Sequence, residues 1–131
     1  MNRLNWKRIY EEPEKNDGFR VFVDRLWARG IKKEDAKIDY WAKEITPTKE
    51  LREDYHKGKI NFETFAAGYL NELEKNSDFD KFLQKIKTEL ISKNVTMVFA
   101  SKTPEISHIP ILKKYLKNTF KICNKFKISF T

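Results

Sequence analysis

Twelve residues, 19–30 (FRVFVDRLWARG), constrain the fold more than any other stretch, because an apolar run passes straight into a charged turn. Phe19, Val21 and Val23 mark one face, Leu26 extends the run, and Phe22 fills the other face, so the segment reads as a strand buried on both sides. Such a strand lies inside a sheet, with helices above and below. Asp24 and Arg25 fall where the strand ends, and Trp27, Arg29 and Gly30 follow in a loop. Ligands of open α/β sheets gather outside the carboxyl ends of the strands, which makes this turn the first place to look for function. Asp24 has two readings: it braces the loop by pairing with Arg25, Arg29 or another base, or it faces a ligand. A surface pair of the first kind contributes only about 0–1 kcal/mol.

The second interior strand is the β-prone run VTMVFAS at 95–101, which places Ser101, Lys102 and Thr103 at its carboxyl end. A helix follows, with Ser107 or His108 near its cap and Pro110 in its first turn. Between the two strands the spacing predicts four helices. Ile38, Trp41, Ala42 and Ile45 form one stripe and predict a helix over 33–44. Thr46-Pro47 ends it, and Thr48 caps a short helix through Tyr55 that His56 and Gly58 close. His56, among lysines at a helix end, reads as a solvated cap. Asn61 opens a helix with Phe62, Phe65, Ala66, Tyr69, Leu70 and Leu73 on one face. Ser77 or Asp78 caps the next, which buries Phe79, Phe82, Leu83, Ile86, Leu90 and Ile91.

Residues 4–10 carry Leu4, Trp6 and Ile9 among basic side chains and read as an edge strand, where charge discourages aggregation. The acidic stretch 11–18 (EEPEKNDG) reads as an exposed turn. At the other end, 117–131 alternates lysines with Phe120, Ile122, Phe126, Ile128 and Phe130, and is either an edge strand or a loosely docked basic tail. Cys123, with no histidine or acid beside it, carries no mark of an activated nucleophile.

A chain of 131 residues forms one domain around one core, here 1–131. Its formal charge of +8 favours phosphate-bearing or nucleic-acid partners. One cysteine allows no internal disulfide, which suits a reducing cytosol, and nothing resembles a signal peptide or membrane span. The reading is a cytoplasmic protein away from membranes. The usual phosphate-loop, dinucleotide, zinc-protease and serine-hydrolase motifs are all absent, and the sequence asks for no cofactor or metal. It names no reaction.

If the two interior strands are parallel neighbours, Arg25 and Arg29 share a rim with Ser101, Lys102, Ser107 and His108. Arginine forks and a helix start are the parts of an anion site. Asp24 and His108 are the only candidates for proton transfer, and His108 reads first as a helix cap.

Three segments, KRIYEEPEKNDGFRVFVDRLWARG, DYWAKEITPTKELREDYHKG and VTMVFASKTPEISHIPILKKYL, resemble in order and spacing the family called domain of unknown function 488, in its short YeaO-like branch. The likeness spans about 7–116 and is most specific over 17–30. Where the family has Trp-Pro-Arg-Gly, this chain has Trp27-Ala28-Arg29-Gly30; Ile106 stands where the family carries a histidine before its last helix. The resemblance implies an α/β fold and a soluble protein, and no activity.

The expected architecture is a single α/β domain with a small, mainly parallel sheet flanked by helices. The expected function is binding of a small phosphate- or carboxylate-bearing ligand by Asp24, Arg25, Trp27, Arg29, Ser101 and Lys102. Two alternatives stand beside it: a nucleic-acid-binding accessory protein that uses the basic surface with Trp27 stacking on a base, and a protein-interaction module without a pocket.

Overall fold

The computed structural model describes residues 2–122 and 129–130, with the backbone alone at 121, 122, 129 and 130. Strand β1 (Arg3–Arg8) is followed by β2 (Phe19–Phe22), helix α1 (Lys33–Ala36), β3 (Tyr40–Trp41), α2 (Lys49–His56), α3 (Phe62–Lys75), α4 (Phe79–Ser92), β4 (Val95–Phe99), α5 (Ile109–Ile122) and β5 (Ser129–Phe130). All described pairings are parallel, in the order β3-β2-β4-β1-β5. The two runs singled out in the sequence are therefore neighbours, with Phe19 opposite Val95 and Phe22 opposite Val98.

Both strands are buried because each side chain has a packed layer to enter. On one face Val21, Val95 and Met97 meet Tyr69, Leu73, Phe82, Ile86, Leu112 and Leu116, so α3, α4 and α5 all cover the same side. The other face is thinner: Phe22, Val98 and Ile9 pack against Ala28, Ala36 and the ring of Trp27. The connection after β2 thus leaves by one face through α1, and the connection after β4 leaves by the other through α5. Adjacent parallel strands whose connections part in this way open a crevice at their carboxyl ends.

Several local expectations need correction. The helix expected over 33–44 stops after Ala36. Lys37 turns left-handed at φ 52°, Asp39 exchanges hydrogen bonds with the Arg20 backbone (2.9 Å each way), and Tyr40–Trp41 joins β2 as an edge strand. Tyr40 packs toward Phe82 on one face and Trp41 toward Phe22 on the other, a period of two that helical counting hides. β1 is not simply an edge strand: β5 pairs it at Arg3 and Leu4, while β4 pairs it from Leu4 to Arg8. Leu26 lies beyond the strand and is 62% exposed. Asp78 precedes α4 without a side-chain cap; the Asn76 carboxamide oxygen accepts the Asp78 N–H instead (2.8 Å). Cys123, Phe126 and Ile128 lie outside the described residues.

The acidic turn is not wholly exposed either. Asp17 is buried, with Arg20 Nη1 at 2.5 Å and Lys7 Nζ at 3.2 Å, while Lys7 also reaches Glu14 at 2.7 Å. Burial pushes the Asp17 carboxyl up, but the Glu14 N–H, Lys7 and Arg20 outweigh it and hold the group below the usual carboxylate range. Burial likewise opposes the charge on Lys7, and Glu14 and Asp17 overcome it, so its pKa is raised. Gly18 closes this turn at φ 65°, against the backbone of Asn94.

Candidate functional site

Outside the carboxyl ends of β2 and β4 lies a cleft of about 620 Å3. The exit of β2 supplies Asp24, Arg25 and Leu26; the loop after β4 supplies Ser101, Thr103, Ile106, Ser107 and His108. The remaining wall is α2, which contributes Arg52, Tyr55 and His56 beside Pro47, with Phe65 of α3 behind.

Helix α2 reaches this position through Thr48. Its hydroxyl accepts the Leu51 N–H (3.3 Å) and donates to Glu72 Oε2 (2.6 Å), while its backbone N–H donates to Glu72 Oε1 (3.0 Å). The cap of α2 is thereby tied to α3. Residues 52, 55 and 56, at steps of three and four, share one helical face, and that face meets the cleft. The Tyr55 ring lies on Phe65, with centroids 4.4 Å apart and planes inclined by 18°. Its hydroxyl donates to the Ile106 carbonyl at 2.8 Å, joining α2 to the loop after β4.

Two guanidinium groups face this space. Arg25 Nε donates to the Pro47 carbonyl at 2.8 Å, with Nη2 3.5 Å from the Thr46 carbonyl. Nη1 has no hydrogen-bond partner among the described residues. Arg52 Nε is buried and also lacks an acceptor there. An orphaned buried donor costs roughly 1–3 kcal/mol, so an acceptor brought to it is favoured.

Asp24 is the one acid in the lining. Its Oδ2 accepts the Ala100 N–H at 2.9 Å, and its Oδ1 stands 3.2 Å from His108 Nε2. His108 Nε2 also lies 2.7 Å from the Val23 carbonyl. A carbonyl only accepts, so the proton belongs on Nε2. Ser107 is committed to the start of α5, donating to the Pro104 carbonyl (2.6 Å) and accepting the Ile109 N–H (3.1 Å). Ser101 Oγ accepts the Thr103 N–H at 3.1 Å.

The structure brings Asp24, Arg25, Ser101 and His108 together, but not the other residues predicted for the pocket. Trp27 has passed to the thin face of the sheet, where its Nε1 donates to the Ile31 carbonyl (2.7 Å) and its ring packs edge-on against Phe22 and Trp41. Arg29 is exposed, its carbonyl accepting the Tyr10 hydroxyl at 3.0 Å, and Lys102 is exposed beyond the cleft lining. The physical reason for the first two is the turn after Leu26, which carries Trp27 and Ala28 across the sheet end to the second core and leaves Arg29 on the surface beyond them. Arg52, Tyr55 and His56 line the cleft although none of them is among the residues expected there, and His56 was expected as a solvated cap. Their helical spacing was the available signal, and His56 is a lining residue as well as a helix end. Among the described residues no group of three or more His, Cys, Asp or Glu side chains converges to hold a metal, and no helix is long and apolar enough to cross a membrane.

Comparison with known proteins gives the same lineage along the chain. The family model DUF488-N3i, described as the inactive DUF488-N3 subclade, matches residues 3–127. The uncharacterized protein YeaO of Escherichia coli is 38% identical over 115 residues, covering 88% of this chain and 97% of its own length. The uncharacterized protein Rv3073c of Mycobacterium tuberculosis is 37% identical over 114 residues, covering 87% of this chain and 93% of its own length. No solved structure matches.

Proposed function

This chain belongs to the inactive DUF488-N3 subclade, and from that premise we propose that it is a binding protein whose cleft at the ends of β2 and β4 takes a small phosphate- or carboxylate-bearing ligand without transforming it. The observation that carries this reading is that two arginines, Arg25 from the exit of β2 and Arg52 from α2, line one cleft whose only acid is already engaged. An oxyanion accepts from the Arg25 and Arg52 guanidinium groups that line the cleft. Asp24 supports binding over catalysis, since its two oxygens are engaged by the Ala100 N–H and His108. The description of the subclade as inactive points the same way. The net charge of +8 adds long-range attraction for an anion.

The nucleic-acid alternative loses its stacking residue, because Trp27 is packed against two aromatic rings and Lys33 Nζ lies 5.7 Å from its centroid. A thermal-shift titration with inorganic phosphate, acetate and a short oligonucleotide, at low and high salt, tests the proposal on wild type, Arg52→Ala and Arg29→Ala. Phosphate or acetate is expected to stabilise wild type and Arg29→Ala alike and to lose most of its effect in Arg52→Ala. Stabilisation by the oligonucleotide alone, abolished by salt equally in all three proteins, overturns it.

A further inference from the structure

The cleft is not uniformly polar. Five large hydrophobic side chains are exposed among the described residues, and two of them, Leu26 at 62% and Ile106 at 51%, line this one cleft. Single exposed aliphatics are ordinary on a protein surface. Two in the lining of a concavity that also holds Pro47 and the stacked Tyr55–Phe65 pair make an apolar wall. Arg25 and Leu26 both line the concavity, so cationic and apolar side chains share one cleft. A bare inorganic ion held by Arg25 and Arg52 leaves that wall in water.

Resting on the anion-binding reading above, we propose that the ligand is amphiphilic: a compact anionic head for Arg25 and Arg52 joined to an aryl or branched-alkyl body that covers Leu26 and Ile106. Charge complementarity selects the head, and removal of apolar surface from water selects the body. The cleft volume of about 620 Å3 falls in the range of small-molecule sites, roughly 300–1,000 Å3, and exceeds what phosphate alone fills. The same chemistry is met by an aryl monophosphate or an aryl carboxylate, and the test separates them.

Isothermal titration compares inorganic phosphate with phenyl phosphate, acetate with phenylacetate, and benzyl alcohol as the uncharged control. In wild type the aryl member of one pair is expected to bind about tenfold or more tightly than its inorganic or short-chain partner. Whichever pair shows the larger gain identifies the head group. Leu26→Ser and Ile106→Ser, both at exposed positions, are expected each to shrink that ratio severalfold. Arg52→Ala is expected to weaken both members of the pair.

Equal binding of phosphate and phenyl phosphate, and of acetate and phenylacetate, each weakened by Arg52→Ala, overturns the amphiphilic ligand and leaves the anion cleft standing. Benzyl alcohol binding as tightly as the aryl anions overturns the anionic head and the anion reading together. An absence of binding by every probe overturns both proposals. An aryl preference that survives both serine variants places the body elsewhere and overturns the assignment of the wall.

Discussion

Asp24 Oδ1 stands 3.2 Å from His108 Nε2, and the other oxygen of the same carboxylate accepts the Ala100 N–H at 2.9 Å. One side chain at the end of β2 therefore ties down the residue after β4 and the residue at the start of α5. Asp24→Asn keeps the size and an acceptor for Ala100 but removes the only negative charge in the cleft lining. Phosphate is expected to bind the variant severalfold more tightly, since the repelling carboxylate is gone. Unfolding in urea is expected to show a loss of about 1–3 kcal/mol, because the carboxamide NH2 faces the His108 Nε2–H and cannot accept from it as the carboxylate oxygen does. Weaker phosphate binding in Asp24→Asn would instead make the carboxylate a ligand contact.

Asp17 is expected to make folding sensitive to acid. Burial raises its carboxyl, but the Glu14 N–H, Lys7 and Arg20 hold it below its ordinary value in the folded state. Its contribution is therefore present above the unfolded carboxylate value of about 3.9 and is lost as pH falls through the lower folded value. Thermal unfolding followed from pH 6 to pH 2 is expected to show this decline in wild type and a shallower one in Asp17→Asn. At neutral pH the same variant leaves Lys7 and Arg20 buried around a neutral amide and is expected to be less stable by about 3–5 kcal/mol. A variant as stable as wild type at pH 7 would rule out this role for the triad.

Gly18 carries two constraints and Gly30 only one. A Cβ on Gly18 meets the Asn94 carbonyl oxygen at 2.0 Å, on top of φ 65°, whereas Gly30 at φ 81° has open space around the corresponding position. Gly30→Ala is expected to cost about 1–2 kcal/mol of backbone strain. Gly18→Ala must also displace the residue that leads into β4, and is expected to lose about 3 kcal/mol or more. Chemical denaturation of the two variants side by side measures the difference, and equal losses would remove the steric part of the argument.

The central pair of strands was legible because both faces of each are covered, so their apolar runs are continuous and end where polar residues begin. The two helices over Phe62–Lys75 and Phe79–Ser92 were legible for a related reason, each burying a stripe at helical spacing, although Leu70 and Ile91, expected in those stripes, lie at their margins and are exposed. Tyr40 and Trp41 were not, because two adjacent aromatics entering opposite cores lie within a segment whose other apolar residues fit a helical period equally well. Four acids stand in the turn at 11–18, and only the fold brings Lys7 and Arg20 to one of them. Arg52 and His56 were visible as members of one helical face. What a polar face of a short helix looks upon, solvent or a cleft, depends on where its cap is fastened.

That fastening makes Thr48 a positioning residue for the cleft. Its hydroxyl both caps α2 and donates to Glu72 at 2.6 Å, so losing it loosens the helix that carries Arg52, Tyr55 and His56. Thr48→Ala is expected to cost about 1–2 kcal/mol in urea unfolding, within the range for lost N-caps. Phosphate binding is expected to weaken severalfold although Thr48 is not in the cleft lining. Thr48→Ser keeps the oxygen and is expected to restore both quantities. If Thr48→Ala lowers stability while phosphate binds it as tightly as wild type, α2 holds its place through the packing of Leu51 and Tyr55 alone, and the cap has no part in shaping the site.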